Sequence, residues 1–409
     1  MSPNPWITLA IVTLTFIGIA VGRYPIIKSN RTTIALMGVA LLVAARQVRF
    51  EDVPGYFDFD TLALLFSMMI INANLKLAGF FTLAGNALVR LARAPRAFLA
   101  LEILIVGVLS ALFLNDTICL MFAPFLIQLT DSLERNPLPY LVALATASNI
   151  GSTATLTGNP QNMIIGVASG IAYVDFLLAL APVALLSMGV IWLVLVKMYP
   201  RELRKADRFI PRPVGEETII RPLLAKTLIV TGGLLVAFLA GAPIAMAAFL
   251  AASVLLITRR HQPHVVFAEF DWSLLVFFAA LFVVSGSLET SGVTRTLVDL
   301  NSLSQQATVP NLTLITAALS NLISNVPAVM LLRPVVAAMP DARLGWLTVA
   351  AASTLAGNLT LLGSVANLIV AETASRWRID LSFWEYTKSG ILITLVSLVI
   401  AVGWLMLMG

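Results

Sequence analysis

The sequence is poor in charged residues, in cysteine and in histidine. Asp, Glu, Lys and Arg together make up 11% of the 409 residues, against about 25% in a soluble domain, which excludes an ordinary water-soluble globular protein. The single cysteine, Cys119, excludes an intramolecular disulfide. The two histidines, His261 and His264, are too few for a protein metal site, which typically takes three or four ligands.

Long apolar segments dominate the chain instead. Hydrophobic residues make up 59% of it, the mean hydropathy is +0.94, and several runs approach the roughly 20 residues that cross a bilayer as a helix. These runs are 6–21, 176–198, 227–240 and 391–408. We therefore predict an all-α polytopic membrane protein of the cell (plasma or inner) membrane. The net charge of +5 is explained by basic cytoplasmic loops, so no nucleic-acid partner is expected.

The basic residues cluster in short segments between the apolar runs. Segments 22–32, 89–96 and 200–226 are rich in Arg and Lys, and such loops stay on the cytoplasmic side of a membrane. This assignment places both the N-terminus and the C-terminus outside. It also requires the apolar block 97–132, which "LNDT" interrupts, to enter and leave on one side as a re-entrant hairpin.

The second half of the chain repeats motifs of the first half in the same order. Segment 57–79 aligns with 270–292, and 109–125 aligns with 319–335. In the third pair, Gly158 matches Gly363 and Asn162 matches Asn367. The same register pairs Asp175 with Asp380, which we expect to cap the helices that follow them.

Each repeat holds an odd number of spans, so the second starts on the opposite side of the membrane. We predict two inverted-topology repeats with about 10 transmembrane helices, two re-entrant hairpins and two broken helices. The predicted units are a first repeat over 1–199, with hairpin 97–132 and broken helix 138–169, a cytoplasmic linker over 200–226, and a second repeat over 227–409, with hairpin 311–340 and broken helix 342–371. Inverted repeats with broken helices are typical of secondary transporters, whose site lies between the repeats at the membrane midplane.

Polar residues and helix breakers coincide in "ATASNIGSTATLTGNPQNMII" (145–165), inside an apolar surrounding. Backbone groups freed by a break at membrane depth must contact protein, water or a ligand. The predicted helix-breaking residues are Gly151, Gly158, Pro160, Gly357 and Gly363. The predicted substrate- or ion-binding residues are Asn115, Asp116, Thr117, Ser148, Asn149, Thr153, Thr157, Asn159, Asn162, Ser324, Asn325, Asn358, Thr360, Ser364 and Asn367. Close packing of small polar residues is the alternative explanation for this composition.

Charged residues inside the membrane are costly and usually functional. Asp116 lies at the first predicted hairpin tip, and its repeat counterpart is Val326. We interpret it as a proton carrier or cation ligand, with helix capping as the alternative. Glu102 lies in the rising arm of the same hairpin, where an interfacial and a functional position are both open. No paired carboxylates, metal cluster or Ser/His arrangement indicates an enzyme, so we expect a transporter without a cofactor.

The motifs "SNIGSTATLTGNPQNMII", "LNDT" and "SNVPAVMLL" resemble the ion-transporter superfamily of arsenite-efflux (ArsB-type) permeases, NhaD-type sodium/proton antiporters and dicarboxylate/sodium symporters. Within it they look most like the silicon- and arsenite-efflux transporters. The resemblance implies elevator-type movement of the hairpins and broken helices, a homodimer, and exchange of substrate for protons. Dicarboxylate members carry Ser-Asn-Thr at both tips, whereas this chain has Asn-Asp-Thr and Ser-Asn-Val-Pro.

The resulting prediction is proton-coupled export of a small neutral hydroxide, silicic acid or arsenite, with Asp116 carrying the proton. Amides and hydroxyls can bind hydroxyl-bearing molecules without a counter-charge. Two alternatives stay open: a sodium-coupled anion symporter, with sodium at Asn115 and Asn325, and a sodium/proton antiporter. The expected partners are a small inorganic solute, the lipid bilayer and a second copy of the chain.

Overall fold

A computed structural model describes residues 3–21, 30–91, 94–203, 219–257, 263–293 and 308–409. Within these ranges the protein is all-helical, as predicted. The central part of the predicted linker (204–218), much of the basic segment 22–32, and His261 lie outside the described residues.

The described residues of the first half form ten α-helices and one 3₁₀ helix. Its helices are α1 (Pro5–Val21), α2 (Arg31–Ala44), the 3₁₀ helix η1 (Phe50–Tyr56), α3 (Phe59–Leu77), α4 (Phe80–Leu91), α5 (Pro95–Leu112), α6 (Asn115–Ser132), α7 (Leu138–Ser152), α8 (Pro160–Ser169), α9 (Tyr173–Met198) and α10 (Pro200–Leu203). We call α5 and α6 hairpin 1, and the segment between α7 and α8 break 1.

The second half follows the same order. Its helices are α11 (Arg221–Leu239), α12 (Ile244–Leu256), α13 (Pro263–Ala268), α14 (Trp272–Thr290), α15 (Val309–Ile323), α16 (Asn325–Ala337), α17 (Ala342–Ala356), α18 (Val365–Arg376) and α19 (Phe383–Met408). We call α15 and α16 hairpin 2, and the segment between α17 and α18 break 2.

Six of the described helices are long and apolar enough to cross a membrane. They are α3, α5, α9, α11, α14 and α19. Helices α1, α2 and α12 are apolar but shorter, at 17, 14 and 13 residues. The protein is therefore a multi-pass membrane protein whose polar backbone groups are satisfied inside helices.

The packing between the two halves is reciprocal. Helix α3 packs on α12 while α2 packs on α14, and α9 packs on α19. Within each half, the first arm of a hairpin packs on the first part of a broken helix, α5 on α7 and α15 on α17. This reciprocal packing is what a two-fold relation between the halves produces, whereas their inverted orientation stays a prediction.

Three local features differ from expectation. Helix α4, which buries Phe81, Leu88 and Val89 and exposes Arg90, was not predicted, because its apolar face is short. Asp175 lies in the first turn of α9, whose N-cap is Ala172, and Ser382 rather than Asp380 caps α19. The capping prediction for both aspartates is therefore wrong, and Asp175 instead lies 3.7 Å from Arg343.

Candidate transport site

Break 1 begins after Ser152 and ends where Pro160 starts α8. The side chain of Asn159 caps α8 by accepting a 2.9 Å hydrogen bond from the backbone nitrogen of Asn162. The amide nitrogen of Asn162 in turn donates to the carbonyl oxygens of Ser152 and Thr155, at 3.1 and 2.9 Å. One side chain thus satisfies carbonyls that the end of α7 leaves free.

Break 2 is built in the same way. Ser364 caps α18, accepting from the backbone nitrogen of Ala366 at 3.2 Å. The amide nitrogen of Asn367 donates to the carbonyl oxygens of Gly357 and Thr360, at 2.8 and 3.1 Å. The aligned residues Asn162 and Asn367, which end the repeated G-x-x-x-N pattern, therefore donate equivalent hydrogen bonds to carbonyl oxygens in the two halves.

The glycines of the breaks are required by close backbone contacts. A Cβ on Gly158 would lie 2.5 Å from the carbonyl oxygen of Ser152, and one on Gly363 would lie 2.7 Å from that of Gly357. Real Cβ atoms do not approach other atoms this closely. Both positions therefore exclude any other residue without movement of the break.

Gly151 has a different role from the one predicted, whereas Pro160 and Gly357 lie at the edges of the breaks. Gly151 is still helical, in the last turn of α7, and a Cβ there would lie 2.2 Å from the carbonyl oxygen of Gly107 in α5. It allows two helix backbones to touch and does not break the helix. Pro160 begins α8, where its missing N–H costs nothing, and Gly357 is the C-cap of α17.

Asn149 lies at the centre of a buried amide network. Its amide nitrogen donates to the amide oxygens of Asn358, at 2.8 Å, and Asn367, at 3.0 Å. Its own amide oxygen accepts from the amide of Asn115 and the hydroxyl of Ser364, both at 3.0 Å. The network joins the last turn of α7, the second broken helix at its break and the tip of hairpin 1, which brings together five of the predicted site residues.

Each hairpin tip places an asparagine against a break. The backbone nitrogen of Asn115 donates to the carbonyl oxygen of Gly158 at 3.0 Å, and Asn325 approaches Gly357. Both tip asparagines are buried, at 4% and 8% exposure. The amide oxygens of both have no hydrogen-bond partner among the described residues, so each tip offers a free acceptor inside the protein.

Asp116 and Thr117 follow the first tip in the opening turn of α6. The Asp116 side chain is half-buried, and no hydrogen bond or ion pair joins it to another described residue. The N-cap position of α6 belongs to Leu114, without a side-chain cap, so Asp116 is not a capping residue. Thr117 accepts a 3.4 Å hydrogen bond from the amide of Asn72 in α3.

The remaining predicted residues surround this network. The hydroxyl of Ser148 contacts the thiol of Cys119 at 3.0 Å, and that of Thr153 donates to the carbonyl oxygen of Asn149 at 3.2 Å. Thr157 points the other way, with its hydroxyl 3.4 Å from that of Tyr173, and Thr360 takes part through its carbonyl. Ser324, between the arms of hairpin 2, has a φ of 80° and a ψ of 159°.

Sequence reasoning missed Asn72, Thr354 and Gln161. The hydroxyl of Thr354 accepts from the amides of Asn159 and Gln161, at 3.3 and 3.2 Å. The repeat register that pairs Asn162 with Asn367 also pairs Asn149 with Thr354, which would have identified the threonine. Asn72 is 3% exposed. Its position as a polar amide inside a long apolar segment could have identified it from the sequence.

The site is uncharged apart from Asp116. Within the described residues, no Lys or Arg belongs to a hairpin tip or a break. Arg333, the nearest one in sequence to the second tip, is 42% exposed and lies 3.9 Å from Asp58. Such a lining can bind hydroxyl groups through donors and acceptors, and its amide oxygens can also ligate a small cation.

A cavity of about 830 Å³ opens beside hairpin 2. We call it the vestibule. It is lined by residues of η1, by Ser285, Gly286 and Glu289 of α14, and by Met330 and Arg333 of hairpin 2. In the aligned part of α3, Asn72 and Ala73 are 3% and 5% exposed. The vestibule therefore reaches this part of α14, whereas the aligned part of α3 is buried.

Comparison with known proteins gives a family and a fold. A family model described as CitMHS, citrate transporter, matches residues 16–356. The silicon efflux transporter LSI3 of Oryza sativa subsp. japonica is 31% identical over 93% of this chain and 92% of its own length. An uncharacterized transporter of Mycobacterium tuberculosis is 32% identical over 98% of this chain and 99% of its own.

Among solved structures, the YdaH transporter of Alcanivorax borkumensis, described as having an unusual topology, shares the fold. It superimposes with a TM-score of 0.56 at 18% identity, over 99% of this chain and 97% of that chain. The helix order reported above therefore belongs to a known transporter architecture.

Proposed function

Since the chain belongs to the CitMHS citrate transporter family and is a secondary transporter, we propose that it exports a small neutral hydroxide, silicic acid or arsenite, in exchange for protons. The observation that carries this proposal is the uncharged lining of the breaks. Two buried tip amides, Asn115 and Asn325, leave their oxygens free, and hydroxyl donors of a neutral substrate can satisfy both. The silicon efflux activity named for the rice relative supports the same substrate class.

The family description names citrate, so a sodium-coupled carboxylate symporter is the second candidate. The free amide oxygens favour this candidate, because hard cations such as sodium bind oxygen ligands. A bound tri- or dicarboxylate would need compensating positive charge, because burying an unpaired carboxylate costs several kcal/mol. The breaks and tips provide none within the described residues, which is why the neutral substrate is preferred.

Asp116 is proposed as the proton-coupling residue. Its carboxylate has no partner in the described structure, and it lies next to Asn115, whose side chain contacts Asn149. Exchange of one proton for one neutral molecule moves one positive charge inward. Each pH unit then contributes about 1.4 kcal/mol, and each 100 mV of membrane potential about 2.3 kcal/mol, to export.

We further propose that hairpin 1 and the broken helix α7–α8 move as one body in an elevator-type step. The backbone contact between Gly107 and Gly151 supports this, because no side chain separates the two helices. A homodimer, which would hold the remaining helices still, is part of the same proposal. Light scattering of the purified protein at defined detergent content tests the dimer.

The experiment that tests the proposal measures flux in proteoliposomes. Silicic acid, arsenite, citrate and sodium are supplied in turn, with and without an imposed pH gradient, to wild-type protein, Asp116→Asn, and the control Asp175→Asn. Asp175 is exposed and pairs with Arg343 outside the site. We expect pH-driven flux of a neutral hydroxide, at least tenfold lower in Asp116→Asn and unchanged in the control.

Two results would overturn this. Sodium-dependent citrate uptake without hydroxide flux would establish the carboxylate symporter. Full pH-driven hydroxide flux in Asp116→Asn would keep the substrate but remove Asp116 from proton coupling.

A further inference from the structure

A second carboxyl group is buried in hairpin 1, away from the breaks. Glu102 has 0% exposure, and neither of its carboxyl oxygens has a hydrogen-bond partner among the described residues. An ionised carboxylate held in this way would cost several kcal/mol. A protonated Glu102 would avoid this cost.

The matching position of hairpin 2 holds an apolar residue instead of a carboxyl group. The repeat alignment that pairs Leu109 with Leu319 also pairs Glu102 with Leu312. Leu312 lies in hairpin 2 and is 2% exposed. Leucine thus fills the matching place between the hairpin arm and the broken helix. A buried acid at such a position is a candidate functional group.

Glu102 lies close to an ionic cluster at the base of hairpin 1. At a rise of about 1.5 Å per residue, Glu102 lies about 10 Å along α5 from Pro95 and about 15 Å from the hairpin tip. Phe98, one turn before Glu102 in α5, packs edge-to-face against the ring of Tyr140, with ring centroids 5.2 Å apart. Tyr140 also donates to the carboxylate of Glu202 at 3.3 Å.

Arg135 and Glu202 form the ion pair of this cluster. Their charged atoms are 3.7 Å apart, and the side chains are 7% and 9% exposed. The other charged side chains on α5 and on the helices packed against it are exposed or lie near the far end of the hairpin. These are Arg90, Arg96, Asp116, Asp131, Asp175, Lys197 and Arg201. The remaining titratable groups are Tyr173 on α9, Tyr199 directly after α9, and Cys119 on α6.

We propose that Glu102 is a second proton-binding residue of the transport cycle, which exchanges its proton with the cell interior through the Arg135–Glu202 pair. The inference rests on the proposed function. While Arg135 is paired with Glu202, Glu102 has no cation and stays neutral. When movement of hairpin 1 separates the pair, Arg135 stabilises the Glu102 carboxylate, the O–H bond of Glu102 breaks, and the proton passes to the Glu202 carboxylate and then to water.

The test separates proton movement from substrate movement. Proteoliposomes with wild-type protein, Glu102→Gln, Glu102→Asp and the exposed control Glu134→Gln are assayed for two fluxes of silicic acid and arsenite. One is net flux driven by a pH gradient. The other is exchange of labelled for unlabelled substrate at equal pH on both sides, which needs no net proton transfer.

We expect substrate exchange by Glu102→Gln to stay within about twofold of wild type. Its pH-driven flux should be at least tenfold lower than that of wild type. Glu102→Asp should recover part of that flux with a displaced pH profile, and Glu134→Gln should behave as wild type. A merely structural role would lower both fluxes together. Equal pH-driven flux in Glu102→Gln and wild type would overturn this inference alone, whereas absence of pH-driven flux from wild type would overturn the proposed function as well.

Infrared difference spectroscopy decides the case if Glu102→Gln does not fold. In an Asp116→Asn background at neutral pH, a protonated-carboxyl band that changes on substrate addition and shifts in D₂O supports the inference. If no protonated carboxyl is detected in this background, the inference is wrong.

Discussion

The side chain of Asn149 donates a 2.8 Å hydrogen bond to the side chain of Asn358, and this bond joins the two broken helices at their breaks. Both residues are fully or almost fully buried, at 1% and 0% exposure. Because the amide of Asn149 also contacts Asn115, Asn367 and Ser364, the geometry of one break depends on that of the other.

Replacing Asn149 by alanine is expected to destabilise the protein and to weaken substrate binding. The change removes four hydrogen bonds and leaves buried polar groups unpaired, at about 1–3 kcal/mol each where water cannot enter. We expect a lower midpoint of thermal unfolding in detergent and a substrate KM at least fivefold higher. Ser353→Ala is the control, since its hydroxyl contacts only the backbone carbonyl of Ala350, and an equal loss in both variants would contradict the central role of Asn149.

Adding a single methyl group at Gly151 is expected to force α5 and α7 apart. The new Cβ would lie 2.2 Å from a backbone oxygen of Gly107, and backbone cannot rotate away as a side chain can. Overpacking of this kind typically costs about 1–3 kcal/mol. Gly189→Ala, in helix α9, meets no atom within 4 Å and should stabilise the protein slightly. Thermal unfolding of both variants checks this, and indistinguishable midpoints would show that the helices do not touch.

Ser324→Gly is expected to stabilise the protein. Serine holds φ at 80° and ψ at 159° between the arms of hairpin 2, a region that is populated almost only by glycine and costs about 1–3 kcal/mol for other residues. Ser253→Gly, inside helix α12, should instead lower stability. Opposite shifts of the unfolding midpoint would support the strained tip, and a destabilising Ser324→Gly would refute it.

The vestibule predicts one-sided accessibility. Ser285 lines the cavity, and the predicted orientation places the η1 end of the cavity outside. With Cys119→Ser as the background, Ser285→Cys should therefore react with a membrane-impermeant thiol reagent added from outside. A cysteine at the aligned Asn72, which is 3% exposed, should react at least tenfold more slowly. Mass spectrometry of the labelled protein measures both. Labelling of the Ser285 position only from inside would reverse the predicted orientation of the chain.

In the structure, non-helical segments at 153–159 and 357–364 lie inside the two predicted broken helices, whereas the re-entrant arrangement of the hairpins stays a prediction. Gly158, Pro160 and Gly363 interrupt apolar segments, and such interruptions at membrane depth need partners that only a folded site supplies. The asparagines that supply them, Asn162 and Asn367, stood out for the same reason.

Other features could not be predicted, because they depend on contacts between distant segments. Gly151 looked like a helix breaker, whereas its constraint comes from the backbone of Gly107 in a neighbouring helix. The free oxygens of Asn115 and Asn325 depend on how the tips meet the breaks. Helix α4 and the vestibule likewise depend on packing between segments, which the apolar pattern of a single segment does not predict.

The vestibule has an electrical consequence. A polar cavity that opens to the surface fills with water, which conducts ions far better than protein or lipid. Where such a cavity extends to membrane depth, the electric field of the membrane is concentrated in the drier layer that remains. If hairpin 1 carries a proton across this layer in the proposed elevator-type step, that step would be voltage-sensitive.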